Sequence, residues 1–229
     1  MQLVVFDIDG TLTDTNVVDG QCYWRAVCEV LGIFGEQPDW TEFRNVTDAG
    51  IATELCIRHL GRELSAEEMD AIGSRLAAFL ELALASEDPV AHQIPGATEI
   101  LSILHNAPDI AVALATGGLR PSAELKLRRA ALPFTALPLA SSTDAVAREE
   151  ILLIAAGRAT QKHARQFTSF IYVGDGVWDA RAARTLVWRF IGIGSGQQAE
   201  RLRQAGAALV VPDYRPPEAF LRLLMNDSE

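Results

Sequence analysis

Short apolar runs alternate with helical patterns over most of this 229-residue chain. Runs short enough for buried strands occupy residues 3–5, 110–115, 134–140, 170–173, 188–193 and 207–211. Between several of them, apolar positions repeat with helical spacing at residues 97–106, 120–131 and 145–156. Strands that alternate with helices pair in parallel, and the helices cover the faces of the sheet. The sequence therefore predicts an α/β fold with a central parallel sheet flanked by helices.

The interval 15–90 interrupts this alternation, because it contains only helical patterns, near residues 21–31, 41–60 and 66–86. We predict two domains: a core of residues 1–14 and 91–229, and an inserted all-α domain of residues 15–90. Open parallel sheets bind ligands beyond the carboxyl ends of their strands, which is where the insertion begins. We therefore expect the inserted domain to act as a lid over a ligand site.

Two aspartates follow the first apolar run within the segment FDIDGTLTD, residues 6–14. Carboxylates such as Asp7 and Asp9 are costly at the end of a buried strand unless a charged partner compensates them. Successive strand side chains face opposite ways, so the two can share a site only if the strand ends near Asp7. Gly10 favours such an ending. The alternative is a surface strand end followed by a polar turn.

A second acidic pair, Asp175 and Asp179, follows the run at residues 170–173. Asp175 lies between two glycines, which allow the backbone to approach a ligand closely. Asp179 stands where a helix could begin, so it could equally be a helix cap. The pair would join the first pair at the same edge of the sheet.

The run at residues 110–115 ends in the sequence ATGG, which brings Thr116, Gly117 and Gly118 to that edge. Their hydroxyl and amide groups are neutral donors suited to phosphate oxygens, although threonine and glycine are also common turn residues. Clustered carboxylates can all stay ionised only if a cation lies among them, and oxygen ligands without His or Cys point to Mg²⁺. Mg²⁺ beside phosphate-binding donors indicates phosphoryl transfer.

The segments FDIDGTLTD, ATGG and VGDGVWD occur in this order at strand ends. Together they resemble motifs one, two and four of the haloacid dehalogenase superfamily. The resemblance covers nearly the whole chain and implies a Rossmann-like core with a helical cap inserted after the first motif. That arrangement is typical of the phosphoglycolate phosphatase and β-phosphoglucomutase-like members. The resemblance also implies a hydrolase or mutase that uses Mg²⁺ and a small phosphorylated metabolite.

The resemblance further implies roles for the acidic residues. Asp7 would attack phosphorus and form an aspartyl-phosphate, and Asp9 would be the general acid and base. Asp7 and Asp175 would bind Mg²⁺ through their side chains, and Asp9 would bind it through its main-chain carbonyl. Asp179 would orient these ligands or a bound water.

The remaining motif residues concern the phosphoryl group. Thr116 and the Gly117 amide, with Gly118 beside them, would bind it. The family's third motif is a Lys or Arg that neutralises nucleophile and phosphate, and the best candidate is Arg148 in SSTDAVAREEIL. The alternatives are Lys126 and Lys162, which are the only lysines of the chain. Arg148 could instead be an exposed residue that pairs with a neighbouring glutamate.

The residues present discriminate among the reactions of the superfamily. Dehalogenases lack the second aspartate of motif one, so the presence of Asp9 argues against that activity. Phosphonoacetaldehyde hydrolase needs a lysine in the cap, and no lysine precedes Lys126. Phosphomutases share the whole catalytic set, so they remain the main alternative to phosphatases. A non-catalytic relative that binds a phosphorylated ligand is a third possibility.

The segment FRNVTDAG, residues 43–50, resembles the substrate loop of the mutases. Asp48, however, stands where an arginine for the second phosphate would be expected, and this favours hydrolysis. Arg44 in the same loop could meet an anionic group on the substrate, which suits phosphoglycolate-like or sugar-phosphate esters. The alternative is that Arg44 is solvated.

Composition limits the partners. A net charge of −10 argues against nucleic acid, because binding to phosphates needs a clustered positive field. No apolar run approaches the roughly 20 residues that span a bilayer, so no membrane partner is expected. Three cysteines without metal-ligand spacing support neither disulfides nor zinc. We expect a cytoplasmic protein, and its oligomeric state cannot be predicted from these features.

Overall fold

The computed structural model describes residues 1–85, 88 and 92–225. These residues form a six-stranded parallel sheet with the strand order β3-β2-β1-β4-β5-β6. The strands are β1 Gln2–Phe6, β2 Ile110–Ala115, β3 Leu139–Ala140, β4 Ser169–Gly174, β5 Arg189–Ile193 and β6 Leu209–Val211. The predicted α/β class and its parallel sheet are confirmed.

Helices cover both faces of this sheet or extend from its carboxyl edge. In the described part of the chain they are α1 Asn16–Leu31, α2 Asp48–Leu60, α3 Ala66–Ala83, α4 Ala97–His105, α5 Arg120–Arg129, α6 Arg148–His163, α7 Val177–Thr185, α8 Gly196–Gln204 and α9 Pro217–Met225. A short 3₁₀ turn, Trp40–Glu42, precedes α2. None of the described helices has the length and hydropathy required to cross a membrane.

β1 lies at the centre of the sheet and is buried on both faces. Val4 and Phe6 pack into one apolar cluster with α4, whereas Leu3 and Val5 pack into another with α6. A parallel strand covered on both faces needs an unbroken apolar run, which the sequence provides. Because β2 and β4 flank β1, the segments that follow these three strands meet at one edge.

Two predicted elements differ from the observed ones. The strand expected at 134–140 is reduced to the two residues of β3 at the edge of the sheet, after Pro138, which has no amide hydrogen for the ladder. The single helical pattern at 41–60 is divided into the 3₁₀ turn and α2. Thr47 causes this division, because its hydroxyl accepts a hydrogen bond from the Gly50 amide and caps α2.

Helices α1, α2 and α3 lie between β1 and α4 in the chain, and we call them the helical insertion. Their facing side chains form an apolar cluster of their own, which includes Ile51, Leu76 and Leu80. Leu125 of α5 also packs into this cluster, so the insertion contacts the core through α5. The division into two domains stays a prediction, and its expected boundary at residues 90 and 91 lies outside the described residues.

Two leucines on α3 test the packing of the helical insertion. Leu80→Ala should lower the free energy of unfolding by about 2–5 kcal/mol, because Leu80 is fully buried and its loss leaves a cavity. Leu82→Ala, the same substitution two residues away, should cost less than about 0.5 kcal/mol because Leu82 is 79% exposed. Urea denaturation followed by tryptophan fluorescence measures both. Equal costs would contradict the packing described.

Candidate active site

Three neighbouring strands deliver polar residues to one cavity at the carboxyl edge of the sheet. Asp7 follows β1, Thr116 follows β2 and Asp175 directly follows β4. The cavity has a volume of about 260 Å³. Its wall contains Asp7, Asp9, Asn16, Asp19, Gly20, Tyr23, Trp40, Val46, Thr47, Asp48, Ile51, Thr116, Gly117, Gly118, Arg148, Asp175, Trp178 and Gln198.

A tight turn brings both aspartates of the first motif to this cavity. β1 ends at Phe6, and the Leu12 and Thr13 amides donate to the Ile8 carbonyl, which closes the turn. Gly10 has a φ of 71°, a left-handed conformation that favours glycine. The strand therefore ends directly before Asp7, which is the condition under which Asp7 and Asp9 can share one site.

Three buried carboxylates form the centre of the site. Oxygen atoms of Asp7, Asp175 and Asp179 all lie within 4.8 Å of one another. Burial first, and the Asp179 charge second, raise the pKa of Asp7 well above its usual value and that of Asp175 to about 8. A divalent cation would remove this repulsion, and the all-oxygen donor set suits Mg²⁺. The residues present therefore fit the predicted metal.

Asp179 is held by hydrogen bonds from behind the cluster. Its Oδ1 accepts from the Tyr172 hydroxyl at 2.7 Å, and its Oδ2 accepts from the Gly176 amide at 2.8 Å. Gly176, not Asp179, is the N-cap of α7. Asp179 thus belongs to the carboxylate cluster, and its side chain also binds the amide of Gly176, the N-cap of α7. It therefore has features of a site residue and of a helix cap, the two interpretations considered from the sequence.

Arg148, at the start of α6, provides the positive charge beside this cluster. Its Nη1 lies 3.0 Å from Asp179 Oδ1 and 3.5 Å from Asp7 Oδ1, and its Nη2 donates to the Val46 carbonyl at 2.8 Å. Lys162, by contrast, lies at the exposed end of α6, where it donates to the Ala136 carbonyl. Of the three candidates for the third motif, Arg148 is the one that the structure brings to Asp7.

Lys126 occupies a different position, beside Asp9. Its ammonium is fully buried and lies 2.6 Å from Asp9 Oδ2 and 2.6 Å from Asp19 Oδ1. Burial alone would lower the pKa of Lys126, but Asp19 and Asp9 together outweigh this effect and raise it. The Thr15 hydroxyl donates to the other Asp9 oxygen at 2.7 Å. Both oxygens of the Asp9 carboxylate are therefore engaged by Lys126 and Thr15.

The start of α2 and its N-cap Thr47 connect the helical insertion to the core. The Asp48 amide donates to the Gly117 carbonyl at 2.8 Å, and Asp48 Oδ2 accepts from the Leu119 amide at 2.8 Å. The Thr47 hydroxyl donates to the Val146 carbonyl at 2.8 Å. Burial first, and the Asp19 charge second, raise the pKa of Asp48 to about 8.

Arg44 lies apart from the other predicted substrate-binding residues. It is exposed and outside the cavity wall, and its amide donates to Glu54 on α2. Thr116, Gly117 and Gly118 all lie in the cavity wall. The Gly118 amide donates to the Thr116 hydroxyl at 3.0 Å, so that amide is engaged within the protein.

The polar residues of the cavity wall that were not predicted as site residues include Asn16, Asp19 and Gln198. Asn16 donates to Asp175 Oδ2 at 2.6 Å, and Gln198 donates to the same oxygen at 3.4 Å. Neither residue lies in a recognisable motif. Asp19 could have been sought as a partner of Lys126, because Lys126 lies on the buried face of α5 and a buried lysine requires an anionic partner.

The model of the haloacid dehalogenase-like hydrolase family matches residues 1–186 of the chain. The chain belongs to this family. Among proteins with curated functions, none matches it in sequence.

Solved structures of similar fold include a hydrolase from Pseudomonas syringae, with 22% identity, a TM-score of 0.72 and 100% of each chain covered. A proposed β-phosphoglucomutase from Bacteroides vulgatus has 18% identity and a TM-score of 0.69, with 98% of this chain and 89% of that chain covered. CbbY from Rhodobacter sphaeroides, in complex with xylulose-(1,5)-bisphosphate, has 18% identity and a TM-score of 0.67, with 93% and 95% covered. At these identities the likeness shows a shared fold.

The two lysines of this hydrolase test the buried ion group. Lys126→Met should lower the free energy of unfolding by about 3–5 kcal/mol, because it leaves the carboxylates of Asp9 and Asp19, whose side chains are only 15% and 14% exposed, without their cation. Lys162→Met is the matched control and should cost less than about 0.5 kcal/mol, since Lys162 is exposed. Chemical denaturation measures both variants. A small cost for Lys126→Met would contradict the described ion group.

Proposed function

We propose that this haloacid dehalogenase-like hydrolase is a Mg²⁺-dependent phosphatase that cleaves a small phosphomonoester through an aspartyl-phosphate. The observation that supports this proposal most strongly is the meeting of Asp7, Asp175 and Asp179 with Arg148 at one end of the cavity. A carboxylate nucleophile can approach an anionic phosphoryl group only where positive charge compensates both. The site combines such a nucleophile with one fixed cation and a place for a second.

In the first half of the proposed reaction, an Asp7 oxygen attacks phosphorus and the ester bond to the leaving group breaks. The Thr116 hydroxyl and the Gly117 amide bind the transferring phosphoryl oxygens, and Arg148 offsets their charge. Asp7 and Asp175, with the Asp9 carbonyl, would hold Mg²⁺, which would neutralise further negative charge on the phosphoryl group. Asp179 would keep the Asp7 and Asp175 side chains and Arg148 in position.

Asp9 carries the proton in this scheme. It protonates the leaving oxygen in the first half-reaction, then accepts a proton from the water that cleaves the aspartyl-phosphate. Hydrogen bonds from Lys126 and Thr15 hold both of its oxygens, so the side chain is oriented before the substrate binds. Lys126 is thus proposed as a positioning residue for Asp9, in place of the third-motif role considered from the sequence.

A phosphomutase of the β-phosphoglucomutase type is the second candidate, because one neighbour in fold is a proposed β-phosphoglucomutase. Asp48 in the cavity wall argues against it, since a mutase must also bind a second phosphate. A non-catalytic relative that binds a phosphorylated ligand is a third and weaker candidate, because such a protein would not need a buried nucleophile. The cytoplasmic location stays a prediction.

Activity with p-nitrophenyl phosphate and Mg²⁺ tests the proposed nucleophile. Asp7→Asn should lower kcat by at least about 10³-fold, because an amide cannot form the aspartyl-phosphate. Asp14→Asn is the matched control from the same motif and should retain normal rates, since Asp14 is exposed and outside the cavity wall. Normal rates for Asp7→Asn would contradict the mechanism.

Two further outcomes of that assay separate the alternatives. Conversion of glucose 1-phosphate to glucose 6-phosphate faster than phosphate release would favour the mutase. No turnover across a panel of phosphate esters would favour the binding protein.

Metal binding is tested by thermal unfolding with and without Mg²⁺. Saturating Mg²⁺ should raise Tm, because a ligand at about 100 times its Kd adds about 2.7 kcal/mol of stability. Asp175→Asn should lose this increase, whereas Asp109→Asn should keep it because Asp109 is exposed and outside the carboxylate cluster. An equal Mg²⁺ effect in both variants would contradict the assigned site.

A further inference from the structure

We infer that the leaving group of the substrate carries no anionic substituent and donates a hydrogen bond, from a hydroxyl or an ammonium, to Asp48. This inference rests on the proposed phosphatase function and narrows its substrate class. It departs from the phosphoglycolate-like substrates that Arg44 suggested in the sequence.

The charge of the cavity wall is the first argument. Among the described residues, the wall contains five aspartates and one arginine. The arginine, Arg148, stands at the phosphoryl end, where its guanidinium contacts Asp7, Asp179 and the Val46 carbonyl. A carboxylate or second phosphate on the leaving group would therefore find no cation of its own in the described wall. Burying an uncompensated charge is strongly unfavourable.

Two basic residues outside the cavity wall do not change this balance. Lys126 is fully buried and outside the cavity wall, and its ammonium already contacts Asp9 and Asp19. Arg44 is exposed on the outside of the loop. Neither can neutralise an anion inside the cavity without leaving its observed position.

Asp48 provides the second argument, because its position is fixed beside the phosphate-binding segment. Its amide donates to the Gly117 carbonyl at 2.8 Å, and its carbonyl accepts from the Tyr23 hydroxyl at 2.6 Å. One carboxyl oxygen accepts from the Leu119 amide, and no described cation forms an ion pair with this side chain. Asp48 is therefore placed to meet the first atoms of the leaving group beyond the phosphoryl group.

The neighbouring hydroxyl groups of the helical insertion strengthen this argument. Tyr23 and Thr47 both line the cavity, but each donates its hydroxyl hydrogen to a backbone carbonyl, of Asp48 and Val146 respectively. These hydroxyl groups can therefore offer oxygen lone pairs to a ligand more readily than hydrogens. A leaving group with hydrogen-bond donors matches this wall, whereas a carboxylate, which only accepts, does not. The volume of about 260 Å³ limits the leaving group to a small molecule.

Three two-carbon esters that differ only in their terminal group provide the test. These are 2-hydroxyethyl phosphate, O-phosphoethanolamine and 2-phosphoglycolate, which end in a hydroxyl, an ammonium and a carboxylate. We expect kcat/KM for 2-phosphoglycolate to be about 10- to 100-fold below the better of the other two, the range expected for one charged hydrogen bond. The order of the hydroxyl and ammonium esters identifies which donor Asp48 accepts.

The variant Asp48→Asn tests the role of Asp48. Asparagine keeps the shape of the side chain and an oxygen for the Leu119 amide, but it cannot carry a negative charge. The penalty against 2-phosphoglycolate should shrink by about tenfold, since the amide nitrogen can donate to its carboxylate. Asp70→Asn is the matched control: the same change at an exposed site of α3, outside the cavity wall, should leave the penalty unchanged. An unchanged penalty in Asp48→Asn would overturn the role of Asp48.

Calorimetric binding of the three esters to Asp7→Asn with Mg²⁺ separates this inference from the proposed function. If 2-phosphoglycolate binds most weakly but the wild-type protein hydrolyses none of the esters, the phosphatase proposal fails, whereas the inferred preference of the cavity for a group without negative charge stands. If 2-phosphoglycolate is the preferred ester in turnover, or binds most tightly where there is no turnover, the inference is overturned. If 2-phosphoglycolate is the preferred ester in turnover, the phosphatase proposal survives although the inference does not.

Discussion

The repulsion among the buried carboxylates of Asp7, Asp175 and Asp179 is the constraint on which the rest of the site depends. Each is almost inaccessible to water, so the ionised forms need compensation from within the protein or from a bound cation. Arg148 supplies one positive charge from the start of α6. The hydrogen bonds to Asp179 from Tyr172 and Gly176 fix the geometry in which the three carboxylates meet. The carboxylate cluster is thus built into the segments that follow β1 and β4.

A second ionic group, formed by Lys126, Asp9 and Asp19, gives the two aspartates of the first motif different surroundings. Lys126 links Asp9 to Asp19 on the helical insertion. Asp7 belongs to the carboxylate cluster with Asp175 and Asp179, whereas the Asp9 side chain contacts Lys126 and Thr15. Because one buried ammonium contacts both parts, the placement of the insertion and the orientation of Asp9 are physically connected.

The same boundary forms part of the cavity wall. Asp48 binds Gly117 and Leu119 in the segment that follows β2, Thr47 binds the Val146 carbonyl before α6, and both residues line the cavity. The contacts that position the helical insertion therefore also place the Asp48 carboxyl group in the cavity wall. CbbY, which was solved with a bisphosphate, shares the fold with this chain at 18% identity.

The sequence by itself determined the parallel sheet, the alternation of its strands with helices α4 to α6, and the motif residues at the ends of the strands. These follow from local patterns, because a buried strand needs an unbroken apolar run and the motifs lie directly after such runs. Only the tertiary structure decided which basic residue meets which aspartate. Lys126 lies 117 residues from Asp9 and 107 from Asp19, and Asn16 lies 159 residues from Asp175. Such contacts depend on how helices pack onto the sheet, and no local pattern records that packing.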